Sequence, residues 1–550
     1  MPASPARALA ALAVAVVLAG CASLSPQPRG DDISPLLQSR GAHALDWDTL
    51  SAPADERATI DQWLTQPMTL DAALRVAMLR SPRLQEEYAR LGLARAEVLE
   101  AVQVDNPRLS LSRLSVDGGG DKHTAGVSLP LLDLLLLPAR TRLASADYER
   151  SRREVASSVL NVAADVQVGW YEYVAARQVA AMRAAVAEGA AASAELAQRF
   201  FDAGNISELQ LRQEQAIASQ ARIDALRAKA DAGRRRLALN SLLGLSGAQA
   251  AWEASDNLPL PVPAEDDPER LLALASEGNL ELLAARQEAR VLADALRLTQ
   301  RWRWLGGSEI GYEREEEADG KRLRGPHLAL ELPVFNQGQA KLARAQAQLA
   351  GAQARVARAE LSTRNGVRQG AEAVAAMREV VATHRESLVP QREDIVARQQ
   401  ERQNYMLIGV FELVQAKMAE YDAYQAYLEA VRDYWLARVE LSRAVGQRLP
   451  SDADVGPLTP GVQDILKPAG ATMDHSMHGG MDHSGHGGMD HSMHGGKPAA
   501  APVDHSRHGA RPAGADAAAD HSGHGEPSPA EPSKDDGEED EHAHHHGATP

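Results

Sequence analysis

The feature that most constrains this chain is a short alternating segment that feeds a helical pattern too long for any single globule. Val127-Ser128-Leu129-Pro130 alternates, and residues 131–138 lead from it into a helical pattern that runs unbroken to about Phe201. Val155, Val159, Val162, Val166, Trp170 and Tyr173 fall there at spacings of three and four, the seam of a coiled coil. From Ala139 to Phe201, at about 1.5 Å per residue, such a rod is roughly 90 Å long. A rod of that length cannot bury itself and has to pack along other rods.

The same programme returns about two hundred residues later. Leu328-Ala329-Leu330-Glu331-Leu332-Pro333 alternates, residues 335–338 turn, and a second long helix starts at Gln339. It carries Val367, Ala371, Val374, Met377, Val381, His384 and Leu388 at helical spacing. Gly446 matches Gly244, and Leu332-Pro333 matches Leu129-Pro130.

The elements between these landmarks agree with a duplication. Thr69 is a candidate N-cap for a first helix, which Ser81-Pro82 breaks and which resumes from Leu84 to about Val104. Leu109-Ser110-Leu111-Ser112-Arg113-Leu114 alternates strictly, residues 117–121 turn, and a return strand covers 124–130. After the long helix, residues 202–205 form a tip and an antiparallel partner runs from Ile206 to about Leu243. A Pro-rich linker (258–267) opens the second half, whose first helix spans 268–303 with Gly278-Asn279-Leu280 where the first half has its break. Strands near 308–314 and 323–333 flank a turn at 315–320. A second tip lies at 404–409, before a last helix with Val414, Met418, Tyr421, Leu428, Val431 and Trp435. The hairpins have one apolar and one polar face, which suits a membrane barrel wall or a soluble hairpin packed on a helix.

Ala, Leu, Arg, Gln and Glu dominate the central four hundred or so residues, which favours long helices. Aromatics are only 4 %, which argues against a compact aromatic-rich core. The net charge of −17 argues against nucleic acid as a partner. No catalytic constellation and no phosphate-binding glycine loop is present, so an enzyme is not expected.

The first twenty residues read as an export signal: Arg7, an apolar run over 8–19, and no acidic residue before Asp31. The run is shorter than the about 20 residues a spanning helix needs. Leu18-Ala19-Gly20-Cys21 resembles a bacterial lipobox, which implies lipidation of Cys21, and Ala22 resembles the signal for the outer membrane. Cys21 is the only cysteine, so no intramolecular disulfide can form.

Lipobox, twofold helix–hairpin–long helix–helix order and glycine-bearing tips together resemble the TolC-type outer-membrane efflux factors over about residues 65–450. More narrowly they resemble lipoprotein members serving heavy-metal efflux. The resemblance implies a mainly α fold with a small β part. It also implies a homotrimer whose α-barrel is continued by a twelve-stranded transmembrane β-barrel. Partners would be a periplasmic adaptor and an inner-membrane RND-type pump. Independently, four strands cannot close a pore in lipid, so copies must combine. The family's gate is acidic and sits at the tips, which carries over to Glu208 and Glu412 beside Gly204 and Gly409, with Tyr405 as a brace and Ile206, Leu407 and Ile408 as adaptor contacts. The strands carry fewer aromatics than the girdles of such barrels.

The composition changes abruptly at Ala471. Asp-His-Ser-X-His occurs five times and supplies His475, His478, His483, His486, His491, His494, His505, His508, His521 and His524, interleaved with Met477, Met481, Met489 and Met493. Fourteen of the 18 histidines lie in this tail, whose low hydrophobicity predicts disorder. Thioether with imidazole points to Cu(I) or Ag(I), and the His-only copies to zinc or nickel. No cofactor is required elsewhere.

The expected organisation is a signal peptide (1–20), an anchored leader (21–66), two efflux repeats (67–257 and 258–450), a linker (451–470) and the tail (471–550). The expected function is a passive outer-membrane duct for metal ions. The rivals are a drug or type I secretion duct of the same fold, and a lipid-anchored metal-binding coiled coil without a pore.

Overall fold

A computed structural model describes residues 33–41 and 60–466, apart from Val116, Gly118, Asp256, Leu305, Gly306 and Leu332. Cys21, the signal segment, part of the leader and the whole His/Met tail lie outside the described residues. A short helix, α1 (Ser34–Gln38), precedes the first long run. The Thr69 hydroxyl accepts the Ala72 amide at 3.2 Å and caps α2 (Leu70–Arg80). Ser81 is extended (φ −60°, ψ 119°) because Pro82 follows it, and α3 (Pro82–Val102) starts on that proline.

Two antiparallel strands follow, β1 (Arg108–Ser115) and β2 (Asp121–Pro130), and then α4 (Leu131–Asp202) and α5 (Glu208–Leu243). The order recurs in α6 (Pro268–Gly278), α7 (Leu280–Trp302), β3 (Glu309–Glu316) and β4 (Arg322–Ala329). It finishes with α8 (Gln339–Thr383), a π-helical turn at His384–Leu388, α9 (Val389–Asn404) and α10 (Val410–Val445). A terminal helix, α11 (Val462–Leu466), closes the described chain. No helix among the described residues is long and apolar enough to cross a membrane.

Several boundaries differ from the sequence reading, among them the start of β2, at Asp121 rather than 124. Residues 131–138 are already helical, so α4 has 72 residues and is about 110 Å long. Its first amide donates to the Ser308 carbonyl at 2.8 Å, which joins the helix directly to the sheet. β3 runs on to Glu316, and β4 ends at Ala329 rather than Pro333, where the chain loosens before Gly338 (φ +77°) starts α8.

The glycines that match across the halves have a common task. Gly244 and Gly446 end α5 and α10 in the left-handed conformation (φ +69° and +80°). A Cβ on Gly244 would collide with the Arg80 carbonyl, and one on Gly446 would come within 2.9 Å of Asn279 Cα. Each glycine therefore packs against the break between two helices, at Ser81 in one half and at Asn279 in the other. Asn279 shares the extended backbone of Ser81 (φ −65°, ψ 118°), and its side chain accepts the Leu282 amide at 3.1 Å.

The predicted seam of α4 is buried throughout: Val155, Val159, Val162, Val166, Trp170 and Tyr173. The aromatics, scarce in total, are concentrated where α4 and α10 meet, contrary to the expectation from composition. Trp170 stacks on Trp252 at 6.0 Å and Tyr171 on Trp435 at 5.2 Å, while Tyr173 meets Trp252 edge-on at 5.3 Å. Arg438, 2 % exposed, sits beside Trp435 and donates to Glu265, to Asp452 at 2.5 Å and to Ser451 at 2.8 Å. Burial works against its charge, but Asp452 and Glu265 outweigh that and hold its pKa above the ordinary value. The Tyr434 hydroxyl donates to Glu265 at 2.7 Å, and Trp435 Nε1 donates to the Pro259 carbonyl at 2.7 Å. These bonds tie the inter-repeat linker and the chain after α10 to the middle of the body.

Removing the cation from this knot leaves two carboxylates without it. Arg438→Met is expected to lower the unfolding free energy by about 3–5 kcal/mol, read from the denaturant midpoint of the helical signal. Adding Glu265→Gln and Asp452→Asn should restore part of that loss.

Candidate functional site

Residues opposite one another on an antiparallel ladder point to the same face, and neighbours along a strand point to opposite faces. The order β1-β2-β3-β4 and its register therefore assign every strand side chain to one face or the other. Leu109 pairs with Val127, Val127 with Tyr312 and Tyr312 with Pro326; Leu129 pairs with Ile310, and Ile310 with Leu328. Together with Leu111 and Ala125 these residues make one apolar face. The other carries Ser110, Ser112, Thr124, Gly126, Ser128, Gly311, Glu313, Gly325 and His327, with Leu114 and Leu323 at its end away from the helices.

Exposure is the reverse of what a soluble sheet shows. In the two central strands the polar-face positions Lys122, Thr124, Ser128, Glu309, Gly311, Glu313 and Glu315 are half-buried and Gly126 is buried. On the apolar face of the same strands Tyr312 is 54 % exposed, Val127 48 % and Ile310 45 %. The polar side carries ion pairs between Arg108 and Glu309 at 2.6 Å and between Lys122 and Glu315 at 2.5 Å. Glycine lets the strands crowd there: a Cβ on Gly126 would lie 2.7 Å from Ser110 Oγ, and one on Gly311 2.6 Å from the Val127 carbonyl. β1 and β4 each keep one unpaired edge within the chain.

The aromatics that the strands lack stand at the helical end of the sheet. Trp302, Trp304 and Phe335 lie just before β3 and just after β4; Phe335 is 94 % exposed, and the Arg303 guanidinium covers Trp304 at 4.5 Å.

At the opposite end of the rods the two tips are built differently. Gly204 takes φ +74°, and the Asn205 amide reaches back to the Phe200 carbonyl at 2.8 Å, a Schellman closure. In the second tip Met406 holds that place at φ +57°, with the Leu407 amide on the Arg402 carbonyl at 2.9 Å. Gly409 is instead extended (φ −77°, ψ 156°) and serves as N-cap of α10, the place Ser207 occupies for α5. Gly204 and Gly409 are thus not counterparts. By the same alignment Glu208 is the first residue of α5 and Glu412 the third of α10.

Both glutamates are exposed. Glu208 is held loosely by Arg212, one turn on, at 3.4 Å, and its place at a helix N-terminus suits its charge. The Tyr405 hydroxyl, on a residue 78 % exposed, makes no hydrogen bond among the described residues. Leu407 is 67 % exposed, whereas Ile206 is half-buried against a small core in which Phe200 meets Phe411 edge-on at 6.2 Å. The two tips are therefore packed together. Sequence reasoning passed over two buried carboxylates. Glu214, on α5, accepts from Ser193 at 3.0 Å, and Glu420, on α10, pairs with Lys417 at 2.8 Å. Burial raises the pKa of Glu420, and Lys417 opposes the shift. Helical periodicity gives no sign of them, since a glutamate reads as a solvated position. No group of metal-ligating side chains occurs among the described residues.

Residues 73–245 match the family described as outer membrane efflux protein. No curated protein matches the chain in sequence. Among solved structures, the chain is similar to the outer membrane protein VceC of Vibrio cholerae (16 % identity, 69 % of this chain and 96 % of that one, TM-score 0.57). It is also similar to the CmeC outer membrane channel of Campylobacter jejuni (14 %, 72 % and 87 %, 0.59). A third is the open state of the MtrE outer membrane channel of Neisseria gonorrhoeae (16 %, 69 % and 89 %, 0.54). The chain shares their fold, a mainly helical body with a small antiparallel sheet. The matching family and these channels are not enzymes.

The difference between the tips is measurable. Gly204→Ala should weaken protection of the last turn of α4 against amide exchange by about 1 kcal/mol, and Met406→Gly should strengthen the last turn of α9 by a similar amount.

Proposed function

We propose that this chain is one protomer of an outer-membrane efflux channel, a passive duct that an inner-membrane RND-type pump and a periplasmic adaptor drive from the far side of the periplasm. The observation that carries the reading is the inverted sheet, with apolar side chains outward and polar ones sheltered. Lipid outside and water inside stabilise that arrangement, and water on both sides does not. The open edges of β1 and β4 are intolerable in lipid, so copies must pair edge to edge. Three copies would close twelve strands. The long helices support the same assembly, since Leu209, Ile223, Leu226 and Leu237 on α5 and Leu361 on α8 are exposed in one chain and need neighbours. Trp302, Trp304 and Phe335 then belong to the periplasmic interface of the membrane, where aromatic side chains are favoured. A pore-less coiled coil has no use for such a sheet.

In this reading Cys21 carries the lipid anchor, and the α-rods cross the periplasm to tips where Glu208 and Glu412 line the entrance. Rings of carboxylates at a constriction favour cations. Tyr405 and Leu407, exposed in the protomer, are available to neighbours or to the adaptor.

The cargo we propose is a soft metal ion, Cu(I) or Ag(I). Support comes from the tail, where His475, Met477, His478, Met481, His483, His486, Met489, His491, Met493 and His494 alternate imidazole and thioether, followed by His505, His508, His521 and His524. Each copy binds modestly, and repetition raises the effective affinity.

Two measurements test these statements. Val127→Arg on the outer face is expected to cost about 2–4 kcal/mol of membrane stability and to abolish conductance in planar bilayers, while Thr124→Ser on the inner face leaves insertion intact. Equal behaviour of the two variants overturns the channel reading. Deleting residues 471–550 is expected to lower copper tolerance of the cells while single-channel conductance stays unchanged. Full tolerance, or sensitivity to dyes but not to copper in a strain lacking the whole protein, overturns the metal assignment.

A further inference from the structure

The outward face of the sheet changes character along its length. Nearest the helices it is apolar, with Leu129, Ile310 and Leu328 in one row and Leu109, Val127, Tyr312 and Pro326 in the next. The third row is Leu111, Ala125, Arg314 and Arg324, and the fourth is Arg113, His123, Glu316 and Arg322. With about 3.4 Å per residue, the arginine row begins only some 17 Å along the strand from Glu309. That is within the roughly 25 Å height of the apolar band such barrels present to lipid. The arginine row therefore closes the apolar part of the face at the end away from the helices, where the apolar band gives way to the interface.

The arginines are not neutralised by the chain itself. Arg314 and Arg324 face each other directly across β3 and β4, and like charges so placed repel. Arg314 reaches Glu316 only at 4.0 Å, and the same carboxylate is shared with Arg322 at 3.3 Å. Arg324 has no ion pair among the described residues, and Arg113 is held by Asp121 at 2.5 Å. Four arginines therefore face two carboxylates on one exposed surface, at the end of the sheet away from the helices and the junction aromatics.

We propose that Arg314 and Arg324, with Arg322 and Arg113 behind them, bind the phosphate groups of the outer-leaflet glycolipid. The inference rests on the reading that this face meets lipid. A phosphate placed between opposed guanidiniums turns their repulsion into two charge-assisted, bidentate contacts. A lipid-borne phosphate is favoured over a free one because the rows immediately below are apolar and would hold the same molecule's acyl chains. The site would fix the depth of the channel from the outer side, as the aromatics do from the inner.

The test uses the purified full-length protein in detergent, titrated with phosphorylated lipopolysaccharide, with the same lipid after enzymatic removal of its phosphates, and with inorganic phosphate, and read by native mass spectrometry and thermal shift. The intact lipid is expected to bind at least about tenfold more tightly than the dephosphorylated one, the change equivalent to one charge-assisted hydrogen bond. R314Q/R324Q should lose that preference and R314K/R324K should keep part of it. Equal binding of the two lipids to the wild-type protein overturns the proposal without any variant, and so does full competition by inorganic phosphate at equal concentration. Conductance measured in parallel separates the two readings. A conducting protein that ignores lipid phosphate sinks only this inference, and a phosphate-dependent protein that does not conduct sinks only the channel.

Discussion

The structure depends on one geometrical constraint: a helix of 72 residues has more apolar stripe than a single partner can cover. The chain meets it by running other helices alongside in turn. Near the sheet the seam of α4 is covered by α3 and α7, and further along by α5 and α10. Where α4 and α10 meet, the stacked aromatics and the Arg438 knot hold the rods in axial register. A uniform alanine and leucine seam resists sliding poorly, because one turn looks like the next. Bulky rings and a multiply bonded guanidinium fit in one place only. The scarcity of aromatics elsewhere in the chain is the complement of their concentration here.

Periodicity made the rods, the strands and the breaks legible. Val155 to Tyr173 read as a seam because burial repeats at three and four, and Thr69 and Ser81-Pro82 announced a cap and a break by chemistry that acts within a few residues. The aromatic middle was not legible, since composition counts rings but does not say where they meet, and Trp252 joins Trp170 from a segment without periodicity. The helix α4 starts earlier than its periodic seam indicates, and it tolerates Pro138 close to its first turns. The tips were misaligned for a related reason. A glycine marks the first turn, but at Met406 the chain adopts the left-handed conformation without one. Glu208 and Glu412 were legible as tip residues; their unequal places in their helices were not.

The sheet inverts the usual relation between polarity and exposure, and the register makes that visible because it gives each side chain a face. Strict alternation in the first strand would fit a membrane wall or a soluble hairpin equally well. The small residues Gly126 and Gly311 let the strands crowd on the sheltered side. The ion pairs on that side do not contribute much stability while water reaches them. They do keep both charged partners off the outward face.

The unequal tips have a consequence for symmetry. In the proposed threefold ring the rim would carry six helical turns of two alternating kinds: one closed by Gly204, the other by the left-handed Met406 and reached through a helix with a π-helical turn at His384–Leu388. Such a rim would be threefold and only approximately sixfold. A partner made of six identical subunits would meet two non-equivalent seats and would have to bind in two ways, or in three pairs.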